Sequence, residues 1–366
     1  MTIFGETKTG LSRRNVLFAG TGLVAGGLLT ACASGAKPTS VQAGKKLLIT
    51  VTPFAGADLG TMPKEFAKEY MAKHSNVEIK LDDSLLFTKQ TAQWAADKTK
   101  PLSNLAFSNG GSTASGKATG MYMKLDEAMI ANASKVNAKF KDPDGVGMPL
   151  GVDQLGLLYN TKVLTTPPTS WTNMWADNMV GKLCFFNMPW EAIGMAAKLD
   201  GGGWDNIEPG FQIWTKHAKN IRVIVSANPQ FLNVLSTGEA AMTSHYHGTS
   251  QVWKAGGAPL EFASPSEGTV LVPVGLNINA GSSQDQIEVM YDMINEMLTT
   301  KWNQRWADLS VEMPANQEVG LSDKLKAFPA IAKGMDQQFQ IVEWDTLGKN
   351  TAAWTERWQK EVVAKI

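Results

Sequence analysis

Lys46–Gly56 reads KLLITVTPFAG, and the reading of this stretch decides the fold. The aliphatic and β-branched run Leu47–Thr52 has strand character, and Pro53 and Gly56 end it in a turn. A helix is expected next, because Met62, Phe66 and Tyr70 recur four apart on one helical face. Val77-Glu78-Ile79-Lys80-Leu81 alternates apolar and polar, which predicts a second strand. A helical stretch over 88–98 then leads to a third strand at Ser103–Phe107. The order βαβαβ predicts parallel strands joined by right-handed crossovers, and so an α/β fold.

Beyond Pro149 a second α/β unit is expected to run to about Gly268. Its strands are predicted at 155–160, near 182–186 and near 240–244. Thr166-Pro167-Pro168 is a turn, and Ser170 is placed to cap a helix carrying Trp171 and Trp175. Ile287, Met290, Ile294, Met297 and Leu298 form the apolar stripe of a long amphipathic helix, and the tail 336–366 is helical and rich in tryptophan. The pairs Trp171/Trp175, Trp302/Trp306 and Trp354/Trp358 have the spacing of helix-packing residues. Two such lobes leave a cleft in which ligands bind at strand ends.

The first residues address the chain. Ser12-Arg13-Arg14 precedes a small-residue apolar run, Val16–Leu29, of about 14 residues, short of the ~20 that span a bilayer. This is the pattern of an export signal, and Ser12–Leu17 resembles the twin-arginine type. Leu29-Thr30-Ala31-Cys32 resembles a lipobox, so residues 1–32 are expected to be a signal with Cys32 as its lipidation site. Cleavage after Ala31-Cys32-Ala33, giving a freely secreted protein, also fits the small-x-small rule. Residues 33–44 are small and polar, as in a flexible tether. The chain is expected to work outside the cytoplasm, in the periplasm or at the cell surface.

With 34 basic and 34 acidic side chains in 366 residues, the net charge is zero, which argues against a nucleic-acid partner. Cys32 and Cys184 are the cysteines; if Cys32 carries lipid, Cys184 has no disulfide partner, and Lys182–Phe186 reads as a buried strand.

Several segments, in order, resemble ABC-importer solute-binding proteins. They are Met148–Asn160, Thr169–Trp175 with Val180–Leu183, Leu235–Met242, Gly257–Phe262 and Pro265–Gly268. The similarity covers most of 45–345 and is nearest the spermidine/putrescine-binding group within the polyamine, iron and thiamine cluster. It implies a two-lobed periplasmic-binding-protein type 2 fold, each lobe a mixed, mostly parallel sheet flanked by helices. Lobe 1 is expected over 45–149 plus about 273–310, and lobe 2 over 150–272 plus about 311–366. The implied partners are a small solute and an ABC permease in the membrane; a monomer is expected, with no cofactor and no resident metal.

Carried over residue by residue, the resemblance places Glu191, Tyr246, Glu312 and Asp345 in the cleft. Acids and aromatics together suit a cationic ligand. Glu191 and Asp345 are expected to meet positive charge, Glu312 to lie nearby, and Tyr246 and Trp190 to stack. Phe54 and Asp153 lie on loops expected at the cleft edge. Where polyamine binders carry aspartate this chain has Met188; where they carry Trp-x-Asp it has Val272-Pro273-Val274; and Gly111 and Ser112 replace their paired tyrosines. One end of a diamine would then lack partners, so a singly charged cation or a zwitterion fits better. Ser108, Asn109 and Ser112, at a strand-to-helix step, are candidates for an anionic end.

Other readings rank lower. Gly111–Ala118 approaches a nucleotide P-loop but has Ala118 where Ser or Thr belongs. His245 and His247 could serve as metal ligands, although no third ligand is fixed by spacing. An exported metal-ion or anion binder of the same fold is one alternative. An exported hydrolase using Glu191 and Glu312 as acid and base is another.

Overall fold

The computed structural model describes residues 46–366 except 57, 58 and 188. The signal, the Cys32 lipobox, the 33–44 tether and Met188 therefore lie outside the described residues. The strands are β1 (Leu47–Thr52), β2 (Val77–Leu81), β3 (Leu105–Asn109), β4 (Met148–Asn160), β5 (Leu183–Phe186), β6 (Ile221–Val225), β7 (Met242–Tyr246), β8 (Leu260–Ala263), β9 (Thr269–Ile278), β10 (Met313–Pro314) and β11 (Phe339–Gln340). They join in the order β2-β1-β3-β9-β4-β7-β5-β6, with β8 and β10 on β4 and β11 on β9.

The pairing is parallel at both ends of this order, β2-β1-β3 and β7-β5-β6, and antiparallel in the middle. The middle is made by two long strands, β4 and β9, that run side by side from one lobe into the other. β4 enters beside β10 at Gly151 and Val152 and leaves beside β7 and β8 from Leu155 onward. β9 runs the opposite way, from β11 to β3. Each lobe has its own core. Ile49, Phe66, Leu105, Met290 and Trp302 belong to the first, and Trp171, Phe185, Trp214, Leu347 and Trp358 to the second.

The expected helices over 62–70 and 287–298 form as Thr61–Lys73 and Gln284–Met297, with Met62, Phe66, Tyr70, Met290, Ile294 and Met297 buried. Three expectations shift. β4 begins at Met148, not near 155, because a register shift between Pro149 and Gly151 lets a proline and a glycine sit inside a strand. The Trp171–Trp175 segment is a 3₁₀ turn under a Ser170 capping box, not an α-helix. The P-loop-like run, already disfavoured at Ala118, is helix Gly110–Ala118. Val311, Met313, Ala315, Leu325 and Ile331 pack into the first core, so the segment expected to belong wholly to lobe 2 divides between the lobes. Cys184 is fully buried, and burial pushes its thiol up to about 12. No helix among the described residues is long and apolar enough to cross a membrane.

Candidate functional site

Strand ends from both lobes meet beside the crossing strands. In lobe 1, β3 ends at Asn109, which caps helix Gly110–Ala118 by accepting the Ser112 backbone N–H at 3.0 Å. In lobe 2, β7 ends at Tyr246, the residue before helix His247–Ala255. Asn109 Nδ2 donates to the Tyr246 hydroxyl at 2.9 Å, so the two ends are bonded across the lobe boundary.

Three carboxyls lie in a chain beside this bond: Glu191 and Asp153 act on Tyr246, and Asp153 acts on Glu312. Glu191 stands in the first turn of helix Trp190–Leu199. Asp153, expected on a loop, lies inside β4, paired with Val272, and is 4% exposed; its Oδ1 accepts the backbone N–H groups of Gln154 at 2.7 Å and Gly248 at 3.1 Å. Glu312, also 4% exposed, accepts the Trp306 indole N–H at 2.8 Å through Oε2. It follows Val311, which has a left-handed φ of 56°, the one non-glycine case among the described residues. That unfavourable conformation is held where the chain turns Glu312 inward. Gly151 makes room for it, since a Cβ there would overlap Glu312 Oε2 and stand 2.8 Å from Trp306 Nε1.

All these groups are driven toward their neutral forms. Burial pushes Glu191 up to about 7. Burial raises Asp153 despite its backbone hydrogen bonds. Burial, and then the neighbouring Asp153 carboxyl, raises Glu312 well above the usual range. Burial raises Tyr246, with Glu191 and Asp153 adding to the effect. None of the three carboxyls has a Lys, Arg or His ion-pair partner among the described residues. Negative charge here lacks compensation, an unfavourable arrangement unless a cation or protons complete it. Aromatic rings lie alongside: Trp306 is 6.5 Å from Phe54 and 5.5 Å from Phe107 between ring centres.

The structure thus brings Asn109, Asp153, Glu191, Tyr246 and Glu312 together, with Phe54 at the edge and Ser112 one helical turn away. Three expected residues lie elsewhere. Asp345 is bonded to Lys117 at 2.6 Å in a separate cluster. Trp190 is 5% exposed and packs against Trp354, so its ring is core rather than a stacking surface. Ser108 points to the other side of β3 from Asn109, where it accepts from Asn277 Nδ2 at 2.6 Å. His245 and His247 do not converge: His245 sits among Phe231 and Trp253, and His247 against Phe262 and Phe328. Burial lowers both imidazoles to about 4. No group of three or more His, Cys, Asp and Glu among the described residues is arranged to hold a metal ion. Trp306 was missed as a site residue. Its i, i+4 relation to Trp302 carries a packing signal and says nothing of where its N–H points.

The sequence profile of the bacterial extracellular solute-binding proteins matches residues 65–333, and the chain belongs to that family. Solved structures share the fold. An ABC transporter protein from Clostridium perfringens is 21% identical with a TM-score of 0.66, covering 87% of this chain and 100% of its own. A spermidine/putrescine ABC transporter substrate-binding protein from Streptococcus pneumoniae is 15% identical with a TM-score of 0.63, covering 86% and 99%. A periplasmic binding protein from Actinobacillus pleuropneumoniae with bound fructose-6-phosphate is 15% identical with a TM-score of 0.68, covering 88% and 99%. No curated protein sequence matches the chain.

Proposed function

We propose that this protein is the solute-capturing component of an ABC importer. It takes a small nitrogen-containing cation or zwitterion between its lobes and presents it to a membrane permease. The observation that carries the solute class is the set of half-buried Glu191 and buried Asp153 and Glu312, all raised and without a basic partner. A ligand ammonium would supply the missing charge, and the rings of Tyr246 and Phe54 offer faces for cation–π contact. The relatives of this fold include binders of spermidine/putrescine and of fructose-6-phosphate, so the fold alone does not choose the solute and the side chains must. Groups from both lobes would touch the ligand, which gives it higher affinity for the closed arrangement than for the open one. The reading includes export by the 1–32 signal, lipid anchoring at Cys32 in the periplasm or at the cell surface, and a monomeric state.

The test is a thermal-shift and calorimetric screen against monoamines, amino acids, polyamines, sugars and sugar phosphates. An amine or zwitterion at 100 times its Kd should add about 2.7 kcal/mol of stability. Affinity should rise as pH increases through about 7, because protonated Glu191 offers no charge below that point. A response confined to sugars or sugar phosphates, flat with pH, would overturn the solute class.

A further inference from the structure

Asp153 and Glu312 are both buried, and the Asp153 carboxyl acts on Glu312, yet the two meet different hydrogen-bond partners. Three backbone donors converge on Asp153: the Gln154 N–H at 2.7 Å, the Gly248 N–H at 3.1 Å and the His247 N–H. The last two open helix His247–Ala255, whose N-terminal end favours an anion. Of the pair, Asp153 is therefore the member equipped to carry charge.

Glu312 receives the Trp306 indole N–H on Oε2. The other polar group beside it is the Ser310 hydroxyl. A hydroxyl has one proton to give, and Ser310 gives its own to the Trp306 backbone carbonyl at 2.8 Å. Toward Glu312 it is left to accept, and a carboxylate has nothing to donate. A protonated carboxyl satisfies both groups: its O–H donates to Ser310 Oγ while Oε2 accepts the indole N–H. The groups around Glu312 supply no cation in the proton's place. β4 presents Asp153, and helix His247–Ala255 presents His247, whose imidazole is neutral and turned to the Val311 carbonyl. The charged side chains of helix Thr300–Ser310 are engaged elsewhere: Lys301 with Glu69, Arg305 with Glu65, and Asp308 with Ser322.

We infer that Glu312 holds a proton in the unliganded protein, donating it to Ser310 Oγ, and that a cationic solute enters in exchange for that proton. The O–H bond of Glu312 breaks, its electron pair stays on the carboxylate that faces the cation, and the proton leaves to the buffer. Solute capture and proton release are then linked, so each opposes the other's reversal. The exchange rests on the solute class proposed above; the place of the proton does not.

The test begins with the infrared spectrum of the unliganded full chain at about pH 8, where carboxyls of ordinary pKa are ionised. A neutral-carboxyl C=O band is expected, lost in Glu312→Gln and moved to higher frequency in Ser310→Ala, which keeps both carboxyls but removes the acceptor. No such band, a band that survives Glu312→Gln, or one unmoved in Ser310→Ala would each overturn the assignment. The parent and Ser310→Ala decide the matter even if Glu312→Gln fails to fold. Calorimetry with butylammonium and with γ-aminobutyrate, at the same pH in two buffers of different ionisation enthalpy, then counts protons. Release of about one proton per bound solute is expected. Binding without release would overturn the exchange alone; no binding of either probe would overturn the exchange together with the solute class, while the band still places the proton.

Discussion

Two clusters of three carboxyls lie in this molecule, and they are resolved in opposite ways. At the first, Lys117 reaches Asp142 at 2.9 Å, Asp144 at 2.7 Å and Asp345 at 2.6 Å. Burial works against the Lys117 charge, but these hydrogen bonds outweigh it and hold the ammonium above its ordinary range. Lys117 in turn lowers Asp144. At the second, Glu191, Asp153 and Glu312 have no such centre and are all raised. The first cluster is complete within the chain, joining helix Gly110–Ala118 to helix Trp344–Glu361; the second calls for something from outside. A cationic ligand would play at the second the part that Lys117 plays at the first.

The largest expected effect is at the incomplete cluster. Glu191→Gln and Glu312→Gln should each weaken binding of the cationic solute by about 100-fold, the scale of removing one partner of a buried charge pair. Calorimetry against the best amine from the screen measures this. If both variants bind as the parent does, the analogy between ligand and lysine fails. The unliganded variants should fold normally, since an amide replaces an uncompensated carboxyl.

At the complete cluster a smaller, opposite result is expected. Lys117→Met should destabilise the unliganded protein by ~1–2 kcal/mol at neutral pH, because three carboxylates then face one another. The value is discounted from that of a deeply buried pair because Asp144 and Asp345 are 64% and 45% exposed. Urea unfolding of the variant and the parent checks it. A variant as stable as the parent would show that solvent, not Lys117, already compensates these carboxylates.

The sequence made β1, β2 and β5 legible, since they carry continuous apolar or alternating patterns. The crossing strands were harder to see. Pro149, Gly151, Asp153 and Gln154 interrupt β4, and Pro273 and Gly275 interrupt β9. These are the positions where a strand leaves one lobe for the other, turns past a bulge or supplies a polar group to the cleft. Local pattern fails there because the local sequence serves the site. Resemblance brought Glu191, Tyr246 and Glu312 forward from three separate segments. It carried Asp345 over as a position without its partner, Lys117, and the expectation that Trp190 stacks on a ligand missed its partner, Trp354. Trp306 needed the fold, since only the left-handed turn at Val311 brings Glu312 back to its indole N–H.

The smallest expected effect separates closure from charge. Tyr246→Phe keeps the ring face that a cation would meet but removes the hydroxyl to which Asn109 Nδ2 donates across the lobes. A neutral hydrogen bond of this kind contributes about 0.5–1.5 kcal/mol. Because it ties lobe to lobe, its loss should fall on the lifetime of the closed complex, raising the dissociation rate up to ~10-fold with little change in association. Stopped-flow displacement measures both rates. The companion Asn109→Ala removes the other half of the bond and also the cap of helix Gly110–Ala118, so it should accelerate dissociation and lower stability together. If Tyr246→Phe leaves the dissociation rate unchanged, the Asn109–Tyr246 bond is not a closure contact, and the lobes are held by the ligand and by the contacts between helices Gly110–Ala118 and Trp344–Glu361, the Lys117 cluster among them.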